Sequence, residues 1–325
     1  MSRPRHSAHE YIDGVLAGDR ALLARSITLV ESESPHDAPL ARQVIEGCLP
    51  HSGRSIRVGI TGIPGVGKST FIESLGKHLI DARGARVAVL SVDPSSQISG
   101  GSILGDKTRM ERLGSDERAF IRPSPARGHL GGVGRHTREA ILLCEAAGFG
   151  VILVETVGVG QSETAVRGMT DFFLLLLLAG AGDELQGIKR GILEMVDLLA
   201  INKADGDNIA KAERARREYA NALHLFPPAD DGWTPPTVTC SGLTGNGVKE
   251  IWEAVLEHHR AMQTSGHFQK RREGQAVDWL RDLITQTLES EFQSRPGIEA
   301  RLKETEQSVR QGALNPVSAA AQLFS

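Results

Sequence analysis

A glycine-rich octapeptide near residue 65 constrains this chain more than any other segment. It reads Gly-Ile-Pro-Gly-Val-Gly-Lys-Ser from Gly62 to Ser69, between an apolar run, Ile56–Ile60, and a helix-like run, Thr70–Leu75. This order is a strand, a tight glycine turn and a helix. In the turn, successive backbone N–H groups can surround phosphate oxygens, and the helix N-terminus adds partial positive charge at the same place. The pattern therefore predicts a phosphate-binding loop (P-loop), and this setting disfavours a chance glycine-rich turn.

The P-loop pattern also assigns roles to its side chains. We expect Lys68 to reach the β- and γ-phosphates of a nucleotide and the Ser69 hydroxyl to ligate Mg²⁺. The residues predicted to bind the nucleotide here are Gly62, Ile63, Pro64, Gly65, Val66, Gly67, Lys68, Ser69 and Thr70.

A second motif, Asn202-Lys203-Ala204-Asp205, predicts which nucleotide binds. It follows the apolar run Val196–Ile201 and so stands at the carboxyl end of a strand, where open α/β sheets bind ligands. An ionised carboxylate only accepts hydrogen bonds, so Asp205 suits guanine, which presents its ring N1–H and exocyclic amine side by side. Adenine has an acceptor at N1 and no 2-amine, so Asp205 would reject it. We expect Asn202 to brace the loop and the Lys203 stem to lie along the base.

A third and weaker element is Ser241-Gly242-Leu243, which follows the apolar run Thr237–Cys240. Its backbone N–H groups could bind the carbonyl of guanine. Ser241, Gly242 and Leu243 are therefore added to the predicted nucleotide site.

Three acidic residues and one glycine are candidates for binding Mg²⁺ and the γ-phosphate. Asp93 and Glu155 each follow a strand-like apolar run, and Asp93 is expected to hold Mg²⁺ through water because Mg²⁺ keeps several waters. Asp106 lies in the glycine-rich stretch 100–109, which suits a loop ordered by γ-phosphate and Mg²⁺. Gly158 could offer its N–H to the γ-phosphate. A helix N-cap or a solvated loop charge is the structural alternative for each acid.

Composition excludes several classes of protein. The 325 residues carry a net charge of −3 with no block of like charge, so nothing suggests a nucleic-acid partner. The three cysteines are widely spaced, and the N-terminus lacks the apolar core of a signal peptide, so we expect a cytoplasmic protein. The run Phe172–Leu178 is far shorter than the about 20 residues of a membrane span and is predicted to be a central strand.

Alternating strand and helix patterns predict an α/β P-loop NTPase fold, with a mostly parallel central sheet flanked by helices and with helical extensions at both ends. The predicted regions are a helical extension at 1–53, the P-loop domain at 54–262 and a helical arm at 263–325. In that arm, apolar residues at a spacing of three to four need a partner surface. They are Val277, Leu280, Leu283, Ile284 and Leu288.

These motifs resemble those of the MeaB/ArgK group of P-loop GTPases, whose human relative is the methylmalonic aciduria type A protein. The resemblance covers roughly residues 10–325, and the glutamate at Glu155, where small GTPases carry aspartate, is a trait of the group. The matching segments are Gly62 to Ser69, Val92 to Ser96, Gly100 to Met110, Gly131 to Gly134, Val154 to Gln161, Gly182 to Lys189 and Asn202 to Asp205.

The resemblance implies a function. Members of the group are homodimeric GTPase chaperones of adenosylcobalamin-dependent methylmalonyl-CoA mutase, which gate delivery of the cofactor and protect the mutase. The segment Gly182–Gly191 resembles an extra switch loop of the group, in which Asp183, Gln186 and Lys189 are the expected working residues. The alternative is that Lys189 belongs to a solvated helix start.

Mg²⁺-dependent hydrolysis of GTP by water is the expected reaction. No glutamine stands directly beside Gly158 to position that water, and Gln161 is three residues further on. We therefore expect slow intrinsic hydrolysis, with the mutase completing the site and drawing in Lys189 or Asp106. The predicted catalytic residues are thus Lys68, Asp106, Glu155 and Lys189, and the predicted metal ligands are Ser69, Asp93, Asp106 and Glu155.

Three alternatives stay open at this point. They are a kinase or ATPase of a lysine-arginine-ornithine transport system, a metallochaperone GTPase, and an interaction protein with an inactive nucleotide site. Asp205 argues against ATP, no two cysteines stand close together in the sequence, and the nucleotide motifs are intact. The chain lacks an Asp-x-His-x-x-Gly signature, so we do not expect it to bind cobalamin itself.

Overall fold

In the described part of the chain, seven strands form one sheet, and its carboxyl edge carries the glycine-rich loop. The strands are β1 (Ile56–Gly62), β2 (Val87–Val92), β3 (Ala119–Arg122), β4 (Val151–Thr156), β5 (Phe172–Leu178), β6 (Leu198–Asn202) and β7 (Thr237–Thr239). Their order across the sheet is β3-β2-β4-β1-β5-β6-β7, and each of these pairings is parallel. The α/β fold with a parallel central sheet and helical ends is therefore confirmed.

The computed structural model describes residues 6–32, 34–92, 110–123, 130–156, 162–180, 190–227 and 230–324. The chain divides into two units, Met1–Gln275 and Ala276–Ser325, and the sheet belongs to the first. The region limits at 53 and 262 that were inferred from the sequence remain a prediction.

Helices cover both faces of the sheet and form the extensions. They are α1 (Ala8–Leu16), α2 (Arg20–Val30), α3 (Ala38–Cys48), α4 (Lys68–Arg83), α5 (Glu111–Gly114), α6 (Leu130–Ala146), α7 (Ser162–Arg167), α8 (Arg190–Leu193), α9 (Ile209–Leu223), α10 (Val248–Ser265), α11 (His267–Gln293), α12 (Ile298–Arg310) and α13 (Pro316–Phe324). Short 3₁₀ turns lie at Leu49–His51 and Gly206–Asn208. No helix among the described residues is long and apolar enough to cross a membrane.

Strand β5 shows why the core has two halves. Phe173, Leu175 and Leu177 join the apolar cluster under α1–α3, α6, α7 and α9, whereas alternate residues such as Phe172 and Leu174 join the cluster under α4, α5 and α10. A strand buried on both faces needs an unbroken apolar sequence. The apolar run Phe172–Leu178 therefore predicted this central strand correctly.

The N-terminal extension is a group of three helices packed on one face of the sheet. Gly14 and Gly47 allow close helix contact, because a Cβ atom at either position would overlap Leu22 or Ile12. Glu31, just after α2, forms an ion pair with Arg122 at the end of β3. This pair ties the extension to the edge strand. The four residues of β3 were not predicted, since so short a run gives no clear periodicity.

Buried ion pairs join helices to the amino edge of the sheet, opposite the glycine-rich loop. Asp171, just before β5, accepts hydrogen bonds from Arg272 of α11 at 2.9 and 2.7 Å. Asp197, just before β6, accepts two from Arg167 of α7 at 2.7 and 3.2 Å. Both carboxylates are almost fully buried. Removing Arg272 would leave the Asp171 charge without its ion-pair partner, at a typical cost of about 3–5 kcal/mol.

A buried histidine lies beside this network. His258 of α10 packs edge-on against Phe172 and Trp233, with ring centroids 5.1 and 5.0 Å away, and its Nε2 lies 3.6 Å from Asp197 Oδ1. The pKa of His258 is lowered from 6.5 to about 4, chiefly by burial, with Arg271 and Arg167 contributing to the shift and Asp197 and Asp231 opposing it. The imidazole is therefore neutral in the folded protein at neutral pH.

The second unit has its own small core and one exposed apolar stripe. Phe292 stacks on Phe324 with ring centroids 4.7 Å apart, and Arg301 Nη2 donates to Gln322 O at 2.6 Å. The exposed stripe of α11 consists of Val277, Leu280, Ile284 and Leu288, which are between 47% and 61% exposed.

We predict that His258 makes the folded protein acid-sensitive. The unfolded chain binds a proton at this histidine near pH 6.5, whereas the folded chain binds it only near pH 4. The contribution of the neutral imidazole to the free energy of unfolding is therefore complete above about pH 6.5. It decreases by on the order of 3 kcal/mol as the pH drops towards 4. Urea unfolding of the wild type and of His258→Phe at pH 7.0 and 4.5 measures this decrease in the free energy of unfolding. The fall should be smaller in His258→Phe, and equal falls in both proteins would contradict the prediction.

Candidate functional site

Three glycines let the P-loop take its shape. Gly62, Gly65 and Gly67 have φ values of 154°, 77° and 95°, a region that favours glycine. A Cβ atom at Gly62 would lie 2.4 Å from Leu176 O, and one at Gly67 would lie 2.9 Å from Asn202 Nδ2. Helix α4 begins directly after Gly67, two residues earlier than the sequence indicated. The loop thus leads straight into a helix N-terminus, the arrangement that binds phosphate.

Lys68 is held inside the loop. Its Nζ donates to Gly62 O at 2.7 Å and to Ile63 O at 3.3 Å, and the side chain is largely buried. Burial lowers the pKa of Lys68, and the carboxylates of Glu155 and Glu163 oppose that shift. The ammonium is therefore positioned by carbonyl oxygens at the place where phosphate oxygens are expected.

Two of the predicted metal ligands lie together. Ser69 Oγ donates to Glu155 Oε1 at 3.2 Å, and Glu155 is buried at the carboxyl edge of the sheet, where it pairs in register with Ile60 of β1. Thr61 and Thr156 add a hydroxyl pair beside them, 2.9 Å apart. Hydroxyl and carboxylate oxygens are hard donors of the kind that Mg²⁺ takes, so this pair fits a magnesium site.

Glu163 is a charged residue near the loop that the sequence analysis did not single out. It lies in the first turn of α7, is 1% exposed and is close enough to influence the pKa of Lys68. The sequence contained one signal for Glu163, which is its position two residues after the Gly158–Gln161 segment.

The Asn202 side chain connects the base-binding segments to the P-loop. Its Nδ2 donates to Val66 O at 2.8 Å, and its Oδ1 accepts from Gly242 N–H at 3.0 Å and from Cys240 Sγ at 3.5 Å. The next residue, Lys203, has a φ of 58°, the one positive value of a non-glycine residue in the described chain. Such a backbone is strained and is found at ligand-binding positions.

Ser241 contacts Asp205 through its side chain. Its Oγ donates to Asp205 Oδ2 at 2.5 Å and accepts from Thr244 N–H at 3.1 Å. The carboxylate is thereby oriented, with its other oxygen left to accept from a ligand. The backbone N–H of Ser241 is donated to Asn246 O, and that of Gly242 to Asn202. These two amides are therefore used within the protein, and their predicted contact with guanine stays a prediction.

The turn that begins at Ser241 packs on the first turns of α4. A Cβ atom at Gly242 would lie 2.8 Å from the Phe71 backbone nitrogen, and Ser74 Oγ donates to Gly242 O at 2.5 Å. Leu243 is exposed at the tip. Phosphate-binding and base-binding elements are thus fixed to the same helix.

Several predicted residues lie outside the described part of the chain, and their roles remain predictions. They are Asp93, Asp106, Gly158, Gln161, Asp183, Gln186 and Lys189.

The described residues contain no group of three or more His, Cys, Asp or Glu side chains that could hold a metal ion. The three thiols are buried, and burial raises the pKa of each, to about 11 for Cys48 and about 12 for Cys240. They are therefore poor nucleophiles and poor metal ligands at neutral pH.

A P-loop, a serine–carboxylate pair and an Asn-Lys-x-Asp motif at the carboxyl edge of one parallel sheet define a P-loop GTPase. The model of the family described as methylmalonyl Co-A mutase-associated GTPase MeaB matches residues 23–297. The chain belongs to the MeaB family, and it is a GTPase that binds guanine nucleotide.

Relatives along nearly the whole chain agree with this assignment. A putative GTPase of Caulobacter vibrioides is 55% identical over 307 residues, which are 94% of this chain and 93% of that protein. The mouse methylmalonic aciduria type A homolog, mitochondrial, is 47% identical over 317 residues, 94% of this chain and 76% of the relative. A crystal structure of a LAO/AO transport system kinase is 38% identical, with a TM-score of 0.76, and covers 100% of this chain and 98% of its own.

We predict that Asp205→Asn shifts base preference from guanine to xanthine. The amide no longer accepts from both donors of guanine, and it can donate to the 2-carbonyl of xanthine. GDP should bind about 10- to 100-fold more weakly, since hydrogen bonds to a charged group are lost. Calorimetric titration with GDP and with xanthosine diphosphate measures this. Asp207→Asn, at an exposed acid in the same segment, should change neither, and unchanged GDP binding by Asp205→Asn would remove Asp205 from the base site.

Proposed function

We propose that the protein is a Mg²⁺-dependent GTPase that chaperones an adenosylcobalamin-dependent methylmalonyl-CoA mutase or a related acyl-CoA mutase. In this role it hydrolyses GTP to GDP and phosphate, gates delivery of the cofactor and protects the mutase. The observation that carries the proposal is the family match over residues 23–297, whose description names association with this mutase. The mouse relative, named for methylmalonic aciduria, supports the same connection.

Hydrolysis would use groups that already lie together. The P-loop amides and Lys68 bind the β- and γ-phosphates, and Ser69 and Glu155 hold Mg²⁺ with the predicted ligands Asp93 and Asp106. When bound, Mg²⁺ neutralises charge on the phosphate oxygens. Ser69 donates to Glu155, so the two side chains converge on one place.

We infer that intrinsic hydrolysis is slow and that the mutase accelerates it. No glutamine stands directly after Gly158 to orient the attacking water. A partner that brings Asp106 or Lys189 to the γ-phosphate would complete the site. An added charged group of this kind accelerates related GTPases by about 10³–10⁵-fold.

We also propose that the protein is a cytoplasmic homodimer that uses the exposed stripe of α11. Four apolar side chains in a row on one helix face are expected to be covered by another surface. A second copy of the chain carries the same stripe. In a two-fold symmetric dimer, the stripe of one copy can therefore pack against the stripe of the other.

A second candidate is a kinase or ATPase of a transport system. The similar crystal structure favours it, because that protein is described as a LAO/AO transport system kinase. The Asp205 carboxylate, oriented by the Ser241 hydroxyl, argues against it because this acceptor matches guanine and not adenine. A metallochaperone role gains no support from the described residues, which hold no cluster of metal-binding side chains.

Turnover of GTP and ATP by the purified protein, with and without the mutase, tests the proposal. We expect slow GTP hydrolysis, acceleration by the mutase and little use of ATP. Lys68→Ala should abolish hydrolysis because it removes the cation at the β- and γ-phosphates. Lys77→Ala removes an equivalent charge from α4 that pairs with Asp116 and Asp81, and it should hydrolyse GTP normally.

Two results would argue against this function. Preference for ATP would favour the kinase. If no acyl-CoA mutase changes the rate of GTP turnover, the protein would still be a GTPase, but its partner would be a different protein.

We predict that Ile284→Asp produces monomers. A carboxylate in an apolar contact must be desolvated, which should weaken self-association at least tenfold. Light scattering after size-exclusion chromatography measures the mass. Ser290→Asp places the same charge on an exposed position of α11 away from the stripe and should leave the dimer intact. A dimer that survives Ile284→Asp would assign the stripe to another partner.

A further inference from the structure

A buried hydroxyl lies at the carboxyl edge of the sheet without a partner. Ser91 of β2 is 4% exposed, and its Oγ makes no hydrogen bond within the described part of the chain. Buried polar atoms in native proteins are nearly always satisfied, by protein or by an ordered water or ion. This hydroxyl therefore requires an explanation.

The pleat of β2 places Ser91 on the face that carries the metal-binding pair. Val87 and Val89, four and two residues earlier, pack in the cluster under α4, and side chains on a strand alternate between faces. Ser91 pairs in register with Glu155 of the neighbouring strand, and Glu155 accepts a hydrogen bond from Ser69. Ser91 and Ser69 thus stand near the same carboxylate.

We propose that the Ser91 hydroxyl belongs to the metal–nucleotide site and hydrogen-bonds a water of the Mg²⁺ shell beside Glu155. Mg²⁺ gives up its waters reluctantly and is bound through one or two carboxylates. A hydroxyl can accept from such a water and donate to an oxygen at the same time. The inference rests on the proposed Mg²⁺-dependent function and adds a positioning residue that the nucleotide motifs do not contain.

A purely structural role makes a different prediction. If the hydroxyl is unsatisfied in every state, replacing it by hydrogen, as in Ser91→Ala, should stabilise the free and the loaded protein equally. If it binds a metal-bound water, the replacement should stabilise only the free protein and weaken Mg²⁺ binding.

Ser91→Ala and the matched control Ser26→Ala separate these cases. Ser26 lies on α2, is fully buried, and its Oγ also lacks a partner among the described residues. Thermal unfolding of the full chain would be measured without ligand, with GDP and EDTA, and with GDP and Mg²⁺. The affinity for Mg²⁺ in the presence of GDP would be measured by titration with a fluorescent GDP analogue.

We expect neither variant to lower the melting temperature of the free protein. The rise on adding Mg²⁺ to the GDP complex should be kept in Ser26→Ala and reduced in Ser91→Ala, with Mg²⁺ bound about tenfold more weakly, as for other outer-shell positions. Wild-type Mg²⁺ affinity in Ser91→Ala would overturn the inference while leaving the GTPase intact. GDP binding that is independent of Mg²⁺ in the wild type would overturn the metal site as well.

Discussion

The side-chain amide of Asn202 hydrogen-bonds two loops at once, donating to Val66 O of the P-loop and accepting from Gly242 N–H. Both bonds are buried, so displacement of either loop would leave a desolvated polar group, at about 1–3 kcal/mol each. Asn202 thus links the predicted phosphate-binding and base-binding segments, together with the packing of Gly242 on α4. A nucleotide that is bound at both segments must span the distance between them, so the predicted contacts to guanine and to phosphate are coupled through this brace.

The two edges of the sheet carry different tasks. At the carboxyl edge lie Ser69 and Glu155, which are the described members of the predicted magnesium site, and Asn202, which braces two loops. At the amino edge, Asp171 and Asp197 are neutralised by arginines of α7 and α11. Strand β5 joins these edges through a fully apolar stretch, so the two sets of charged groups are separated by the length of the strand. The ion pairs at the amino edge fix helices to the sheet, whereas Lys68, Glu155 and Glu163 lie near the predicted ligand site at the other edge.

Features that depend on local sequence could be predicted. The glycines of the P-loop, the unbroken apolar run of β5 and the Asn-Lys-x-Asp motif each encode their structure within a few residues. The fold class, the family and the GTPase activity followed from them. Features that depend on contacts between distant segments could not be predicted. The Ser241 hydroxyl on Asp205, the burial of Glu163 and the register of Ser91 with Glu155 exist only once the strands are aligned.

Lys203 adopts a left-handed backbone conformation that ordinarily costs a non-glycine residue about 1–2 kcal/mol. Contacts within the protein sustain this strain, so the fold itself shapes the base-binding loop. If this loop contacts the base as predicted, binding would cost little conformational entropy there, which would favour affinity. The same preorganisation sets a trade-off: a glycine at this position would relax the backbone and raise the stability of the folded protein, yet it would remove the stem expected beside the base. Part of the free energy of folding thus offsets the strain at Lys203, which keeps the loop in the conformation predicted to bind guanine.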